Sequence, residues 1–283
     1  MYNFDIIEKK RVILMNDITL YEKIPELENS FPIKIRKYKG NFIGPHWHEH
    51  IELLHIISGT GNFVCGSSAH DAHSGETVIV NRSELHSCIA PSEVEYICIL
   101  IHPVFFKNVN FNNAILQNLI PADSTVCEYF RTMFEAYECG DFGSDMQIMG
   151  ACYSLMSHLF RNYTKMQLSN AEYESHMLRQ KKINIILDFI HENYGSPLST
   201  SVLAKRFFLS EGYLCHLFRD AVGKTVLQYI NEFRINKAAV LLESTDESIS
   251  EIAAKTGFDS IAYFDRIFKK HKGVSPVQYR KAQ

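Results

Sequence analysis

No Cys-x-x-Cys pair occurs in this chain of 283 residues, and its seven cysteines (65, 88, 98, 127, 139, 152 and 215) are scattered and odd in number. That spacing speaks against a disulfide framework or a thiolate zinc site and fits reduced thiols used as small apolar side chains. No apolar run approaches the about 18 residues that a membrane-spanning helix needs. The opening MYNFDIIEKKRVILMND lacks a basic stretch followed by an apolar core and a cleavage site, so a cytoplasmic protein with no membrane partner is expected. Low-complexity tracts are missing, tryptophan occurs once, and the net charge is −3, which alone gives no hint of a nucleic-acid partner. The charge is unevenly spread, however. Residues 1–180 carry 14 basic and 21 acidic side chains and residues 181–283 carry 15 and 11, a basic module attached to an acidic one.

What is present is ordinary globular material, 46% apolar and 22% charged, in a chain long enough for two cores. Between residues 31 and 106, FPIKIRKY, IELLHIIS, GNFVCG, ETVIVN and EYICILI are short strand-like runs separated by Gly, Pro, Ser and Asn clusters, the pattern of a β-barrel or sandwich. The period then changes. Ile148, Met149, Cys152, Leu155, Met156, Leu159, Phe160 and Tyr163 form one helical stripe. It needs a surface to cover it, either the barrel of its own chain or the same helix of a second copy. The following MQLSNAEYESHMLRQKK is polar without strong periodicity and reads as a linker.

The basic end is written twice. Residues 201–229 and 251–279, aligned at an offset of fifty without a gap, share nine identities: Ala204/Ala254, Lys205/Lys255, Phe208/Phe258, Ser210/Ser260, Tyr213/Tyr263, Phe218/Phe268, Gly223/Gly273, Gln228/Gln278 and Tyr229/Tyr279. Chance at typical residue frequencies gives about two. Each copy parses as helix, turn, helix. Ser248 with Glu251 makes a capping box, and Gly257 suits a left-handed stop. Asp259 or Ser260 caps the next helix and Gly273 ends it; Ser199, Ser210 and Gly223 do the same in the first copy. The intervening TVLQYINEFRINKAAVLLES predicts a helix about 28 Å long at roughly 1.5 Å per residue. Major-groove faces on one side of B-DNA recur every 34 Å or so, about the reach of such a linker.

SISEIAAKTGFDSIAYFDRIFKKHKGVSPVQYR resembles the signature of the AraC/XylS family of bacterial transcription regulators, and LSTSVLAKRFFLSEGYLCHLFRDAVGKTVLQYINEFRINKAAVLL is similar to the first half of the same domain. The resemblance covers about 180–282. It implies that the start of each second helix enters the major groove, which by position assigns Gly212, Cys215 and His216 in the first unit and Ile261, Ala262 and Arg266 in the second. Arg266 can donate two hydrogen bonds to a guanine, and Ile261 or Ala262 can touch a thymine methyl. Gly212 and Cys215 offer little direct readout, which leaves the first unit to His216 and DNA shape. Lys269, Lys270 and Lys272 are candidate phosphate contacts or, equally, partners of the helix dipole. Promoter DNA, RNA polymerase and a second copy of the chain are the partners implied, with activation as the usual outcome.

GNFIGPHWHEHIELLHIISG fits G-x5-H-x-H-x3-E-x6-G through Gly40, His46, His48, Glu52 and Gly59, and resembles the first motif of the cupin barrels; GETVIVNRSELH looks like a degraded second motif with His86 in the fourth ligand position. Metal-binding cupins hold one ion with such a set. Three imidazoles and a carboxylate suit Fe, Mn, Ni or Zn. Sensor cupins joined to this kind of DNA-binding domain commonly take an organic effector instead, so no cofactor is expected, with a divalent metal at His46, His48, Glu52 and His86 as the alternative. Arg36, Tyr38, His46, Trp47, His48, Glu52 and His86 are the candidate effector-binding residues, Trp47 by stacking on a sugar face. His50, His55, His70, His73 and His102 add no ligand spacing and read as surface or structural.

The expected fold is therefore α+β and multidomain: a cupin-like β-barrel sensor over 1–110, a helical connector with a dimerising role over 111–170, a linker over 171–180, and an all-α DNA-binding domain over 181–283. Its helix-turn-helix units fall at about 198–222 and 248–273, joined by a helix over about 225–243. The expected function is effector-responsive, sequence-specific regulation of transcription rather than catalysis. A cupin metalloenzyme of dioxygenase or isomerase type with an appended DNA-binding tail is the rival, and constitutive DNA binding with a purely structural barrel is a third reading.

Overall fold

The computed structural model describes residues 20–24, 31–107 and 113–281. The opening residues, from which no leader is expected, and the expected 110/111 boundary lie outside these. The front of the chain is a near-closed barrel of strands β1 (Ile33–His46), β2 (Ile51–Ser58), β3 (Thr60–Cys65), β4 (Ser68–His73), β5 (Thr77–Val80) and β6 (His86–Ile101). Short strands β7 (Ala114–Leu116) and β8 (Leu119–Ile120) follow. The long β6 organises the sheet: it pairs antiparallel with β1, β2 and β3, while β4 lies on the outer side of β3 and β5 on the outer side of β2. β4, written SAHDAH, escapes the sequence pattern because it is a polar outer strand with only Ala72 buried. β2 is buried from Ile51 to Ile56 because both its faces are covered: Leu54 and Ile56 point into the barrel, and Ile51 and Leu53 point out to the helices. Gly59, the last residue of the cupin-like motif, turns β2 into β3 at φ 85°, and a Cβ there would come within 2.7 Å of the Glu93 carbonyl oxygen.

Helices α1 (Ser124–Cys139) and α2 (Ser144–Asn162) cover the outer face of the barrel. Asp123 caps α1 and binds His158 Nε2 and Tyr163 Oη, each at 2.8 Å, tying the ends of the pair together. The stripe of α2 is buried within its own chain: Ile148, Cys152, Leu155, Met156 and Leu159 join Ile35, Leu53, Ile99 and Phe130 in one core. The face expected to dimerise is thus already covered. The large apolar side chains that α1, α2 and their connection leave exposed are Tyr137, Phe142, Met146 and Tyr153, with Phe142 and Met146 the most so at 106% and 80%.

The stretch expected to be a linker, 171–180, is instead the first half of a 24-residue helix, α3 (Asn170–Asn193), reached through β9 (Thr164–Gln167). A capping box of Ser169 and Glu172 starts it. Its early turns are polar because they run exposed, which erases the periodicity by which a helix is read from sequence; only from Ile183 onward does it bury a face. Among the described residues no helix is long and apolar enough to cross a membrane.

Beyond α3 come α4 (Thr200–Arg206), α5 (Glu211–Val222), α6 (Val226–Ser244), α7 (Ile249–Lys255), α8 (Ile261–Lys272) and α9 (Pro276–Lys281). The repeated residues repeat their tasks. Ser210 and Ser260 cap α5 and α8, and Gly223 and Gly273 stop them in the left-handed region. Gln228 and Gln278 bond back to the backbone N–H of Thr225 and Ser275. Tyr229 stands edge-on to Phe218 at 5.5 Å and Tyr279 edge-on to Phe268 at 5.4 Å. The ungapped alignment fails in the first helices, however. Ser199 and Ser248 cap α4 and α7, an offset of forty-nine, so the second turn holds one more residue. The matches Ala204/Ala254, Lys205/Lys255 and Phe208/Phe258 are not structurally equivalent; Phe208 corresponds to Gly257, both at positive φ. Phe208 holds this conformation, unfavourable for a residue with a Cβ, while 95% exposed. Phe208→Gly is therefore expected to raise stability, by about 0.5–1 kcal/mol, the relief of left-handed strain less the entropy of glycine; a chemical denaturation midpoint at or below that of the parent would contradict it.

Candidate functional site

Four of the predicted ligand residues meet at one end of the barrel. His46 ends β1 and pairs in register with His86 at the start of β6, placing their ring centroids 4.0 Å apart. His48 follows in the turn, and Glu52 points inward from β2 opposite Leu100. One donor atom from each of the four lies within 4.8 Å of the others. Glu52 Oε2 is 3.3 Å from His48 Nε2 and 3.0 Å from His86 Nε2, while Cys98 Sγ donates to Oε1 at 3.0 Å. Burial acts to raise the Glu52 pKa, but the contacts with His48 and His86 prevail and hold it well below the usual carboxylate range.

The ring orientations carry chemical information. His46 Nδ1 lies 2.9 Å from the Gly44 carbonyl and His86 Nδ1 2.9 Å from the Glu84 carbonyl. A carbonyl only accepts, so each Nδ1 donates and each Nε2 lone pair turns toward the carboxylates unless a second proton binds. His86 Nε2 is buried and, despite its 3.0 Å approach to Glu52, has no hydrogen-bond partner. Imidazoles pinned in this way by backbone carbonyls are the usual support of metal-ligating histidines. Donor separations of 3.0 and 3.3 Å also match the edge of a coordination shell with bonds of about 2.0–2.2 Å. The residues fit a divalent ion of the Zn, Mn, Fe or Ni type.

Two participants were invisible in the spacing. Glu22, from the segment before the barrel, brings Oε2 to 3.2 Å from His46 Nε2. His50, expected to be surface or structural, is buried 5.4 Å from His48 with its Nδ1 unpartnered; burial first, then the charges of His48 and His102, bring its pKa down to about 4. The other effector candidates sit apart from the four. Arg36 is exposed, and Tyr38 leans on Tyr96 and donates to the Phe42 carbonyl at 3.1 Å. Trp47 departs from expectation: its ring meets Tyr21 at 4.6 Å and packs against the core of the first helix-turn-helix unit, so the interior stacking surface predicted for it is not there.

At the other end of the chain, Gly212, Cys215 and His216 lie exposed along α5, and Ile261, Ala262, Arg266, Lys269 and Lys270 along α8. His216 Nδ1 is 2.9 Å from Asp220 Oδ2, one helical turn on, and the Arg266 guanidinium lies 5.2 Å over the Tyr263 ring. Lys272 is the exception: its Nζ donates to Asn236 Oδ1 at 2.8 Å, half-buried against α6 and turned from the exposed face, so it is a packing residue in this structure rather than a free phosphate contact. Arg234, buried in α6, donates to the carbonyls of Tyr194 at 2.8 Å and Ser196 at 2.7 Å, and Gly257 packs so closely that a Cβ would meet its guanidinium. This clamp fastens the linker helix to α3 and to the second turn.

A sensor-type barrel with a buried polar cluster, joined to two helix-turn-helix units on one linker helix, defines a ligand-sensing DNA-binding protein. The AraC-like ligand binding domain family matches residues 33–156, and a helix-turn-helix domain family matches 203–282. An HTH-type transcriptional regulator of Bacillus subtilis, YdeC, uncharacterized, is 24% identical over 265 residues, 86% of this chain and 87% of its own length. The Msm operon regulatory protein of Streptococcus mutans is 24% identical over 285 residues, 94% and 98% of the two chains. The melibiose operon regulatory protein of Escherichia coli is 39% identical over 99 residues, 35% of this chain and 33% of its own. The chain belongs to the AraC family of transcription regulators, with an N-terminal ligand-binding domain.

Proposed function

We propose that this regulator reads two successive major grooves with α5 and α8, and that a small molecule seated at the His46, His48, Glu52 and His86 end of the barrel sets its DNA affinity. The observation that carries the first part is the clamp of Arg234 on a 19-residue α6, which holds the two exposed faces at one spacing. Gly212, Cys215, His216, Ile261, Ala262 and Arg266 are the base-reading candidates, with Lys269 and Lys270 on phosphate. A sugar is the effector class we favour, since the donor set suits hydroxyl oxygens and the melibiose operon regulator is a relative over part of the chain. A divalent ion held by His46, His48, Glu52 and His86 would supply a Lewis-acidic anchor for such oxygens. The regulator acts as a cytoplasmic homodimer, through Tyr137, Phe142 and Met146, and activates by recruiting RNA polymerase; the effector shifts the balance only as far as its affinities for the two domain arrangements differ. The sensor reading is preferred to a metalloenzyme because the relatives reported above are named as regulators.

Footprinting with base substitution tests the groove reading. Arg266→Ala is expected to lose about 1–3 kcal/mol at one base pair and relax preference there. His216→Ala is expected to relax preference about 10 base pairs away. Protection of a single groove, with His216→Ala silent at every base, would leave α5 a scaffold.

A further inference from the structure

Three stretches of chain form a wall between the histidine cluster and the first helix-turn-helix unit. In the first, Trp47 lies between His46 and His48: the two imidazoles face the cluster and the indole packs on the core formed by Ile186, Leu187, Ile190, Leu214 and Phe218. In the second, Leu85 packs on that same core while its neighbour His86 faces the cluster. In the third, Leu20 is buried in that core, its N–H donating to Asp188 Oδ1 of α3 at 2.9 Å, while Glu22 reaches His46. The third stretch is stitched to the first: Glu22 N–H donates to the Trp47 carbonyl and Trp47 N–H to the Leu20 carbonyl, each at 2.9 Å. Asn184 of α3 adds a bond to the Ser83 carbonyl at 3.1 Å, next to this wall.

Adjacent residues in an extended chain point to opposite sides, so any shift of a cluster imidazole is felt one residue away on the DNA-binding unit. Trp47 has room to respond, because a crevice of about 440 Å³ opens beside it, lined by Ser83, Tyr173, Met177, Leu178 and Lys181. Its indole N–H is buried without a partner, so its present seat is incompletely satisfied.

We propose that Glu22 is a further donor to a divalent metal ion held by His46, His48, Glu52 and His86, and that the wall of Leu20, Trp47 and Leu85 passes the ion's presence to the first helix-turn-helix unit. The proposal rests on the metal reading of the cluster. Glu22 Oε2 lies 3.2 Å from His46 Nε2, a spacing like the 3.3 and 3.0 Å that separate Glu52 from His48 and His86, and it stands at the edge of the four-residue group, so it joins the shell by swinging inward past His46. Its carboxylate and that of Glu52 together would neutralise a dication, leaving three neutral imidazoles to complete the shell.

The chain supplies its own probe, since Trp47 is the only tryptophan. Full-length protein stripped with a chelator would be titrated with Zn²⁺, which neither quenches by redox nor imposes a geometry, while tryptophan emission and promoter-fragment affinity are followed. One equivalent of Zn²⁺ is expected to shift Trp47 emission and to change DNA affinity at the half-site read by α5. Glu22→Gln, which preserves shape and removes the charge at a partly exposed side chain, is expected to weaken Zn²⁺ binding about 10–100-fold with the stoichiometry and the melting curve retained. Parent protein that takes up no Zn²⁺ would overturn the metal reading itself. Uptake with the same affinity in parent and Glu22→Gln would remove Glu22 from the shell, and uptake that leaves emission and DNA affinity unchanged would overturn transmission through the wall.

Discussion

Leu155→Glu combined with Leu159→Glu is expected to yield no folded sensor barrel. Both leucines are fully buried between α2 and the outer face of the sheet. Truncating a core leucine costs about 2–5 kcal/mol, and an unpaired carboxylate in the same place adds several more. The sum for two sites is as large as the roughly 5–15 kcal/mol that holds a typical domain together. Phe142→Glu with Met146→Glu is the informative contrast, since both side chains are exposed. That pair should retain the parent melting curve and sediment as a monomer. Soluble, folded monomers from the leucine pair would show that the stripe faces a second chain after all, and an unchanged dimer from the second pair would remove Phe142 and Met146 from the interface.

The second large effect is a loss of stability in acid, centred on His191. Its ring is buried in α3, 3.7 Å from the Phe233 ring, and Nε2 is hydrogen-bonded to the Tyr229 hydroxyl at 2.8 Å. Burial first, and then the charge of Lys237, lower its pKa from 6.5 to about 3. The folded state thus prefers the neutral ring. The stability due to His191 is fully present above its unfolded pKa near 6.5 and is lost as pH falls toward 3, because the unfolded chain takes up the proton first. At pH 5 the loss comes to about 2 kcal/mol, from roughly 1.5 pH units at 1.36 kcal/mol each. His191→Gln keeps a hydrogen-bonding group that can donate to or accept from Tyr229 but does not titrate in this range. Urea midpoints followed by helical circular dichroism should therefore fall less between pH 7 and pH 5 in the variant than in the parent. Equal falls would place the acid lability elsewhere.

These two expectations divide along what is local and what is not. The helix ends of the DNA-binding half were legible because a cap is a matter of three or four consecutive residues: Ser199, Ser210, Ser248 and Ser260 all cap where their spacing says they should. The α6 linker was legible for the same reason, as an apolar period bounded by Thr225 and a polar stop. The barrel strands were legible where they alternate or are wholly apolar, and β4 was not, because a polar outer strand buries too little to leave a pattern. The offset of the repeat misled in the first helices, where three identical letters fall one place out of register and the spare residue goes into a turn.

By its residues alone, then, the chain determined its two helix-turn-helix units and its run of short strands, since each depends on neighbours in sequence or on strand periodicity, while the grouping of His46, His48, Glu52 and His86 was legible only through the resemblance to the cupin motifs. Only the tertiary structure decided what each apolar face touches. It turned the Leu155 stripe onto its own barrel, carried Trp47 out of the pocket and onto the first DNA-binding unit, and brought Glu22 and Cys98 to the cluster from distant parts of the chain. The reason is physical: a helix or strand records in its sequence that one side is apolar, but burial is non-directional, and any apolar surface of suitable shape can cover that side.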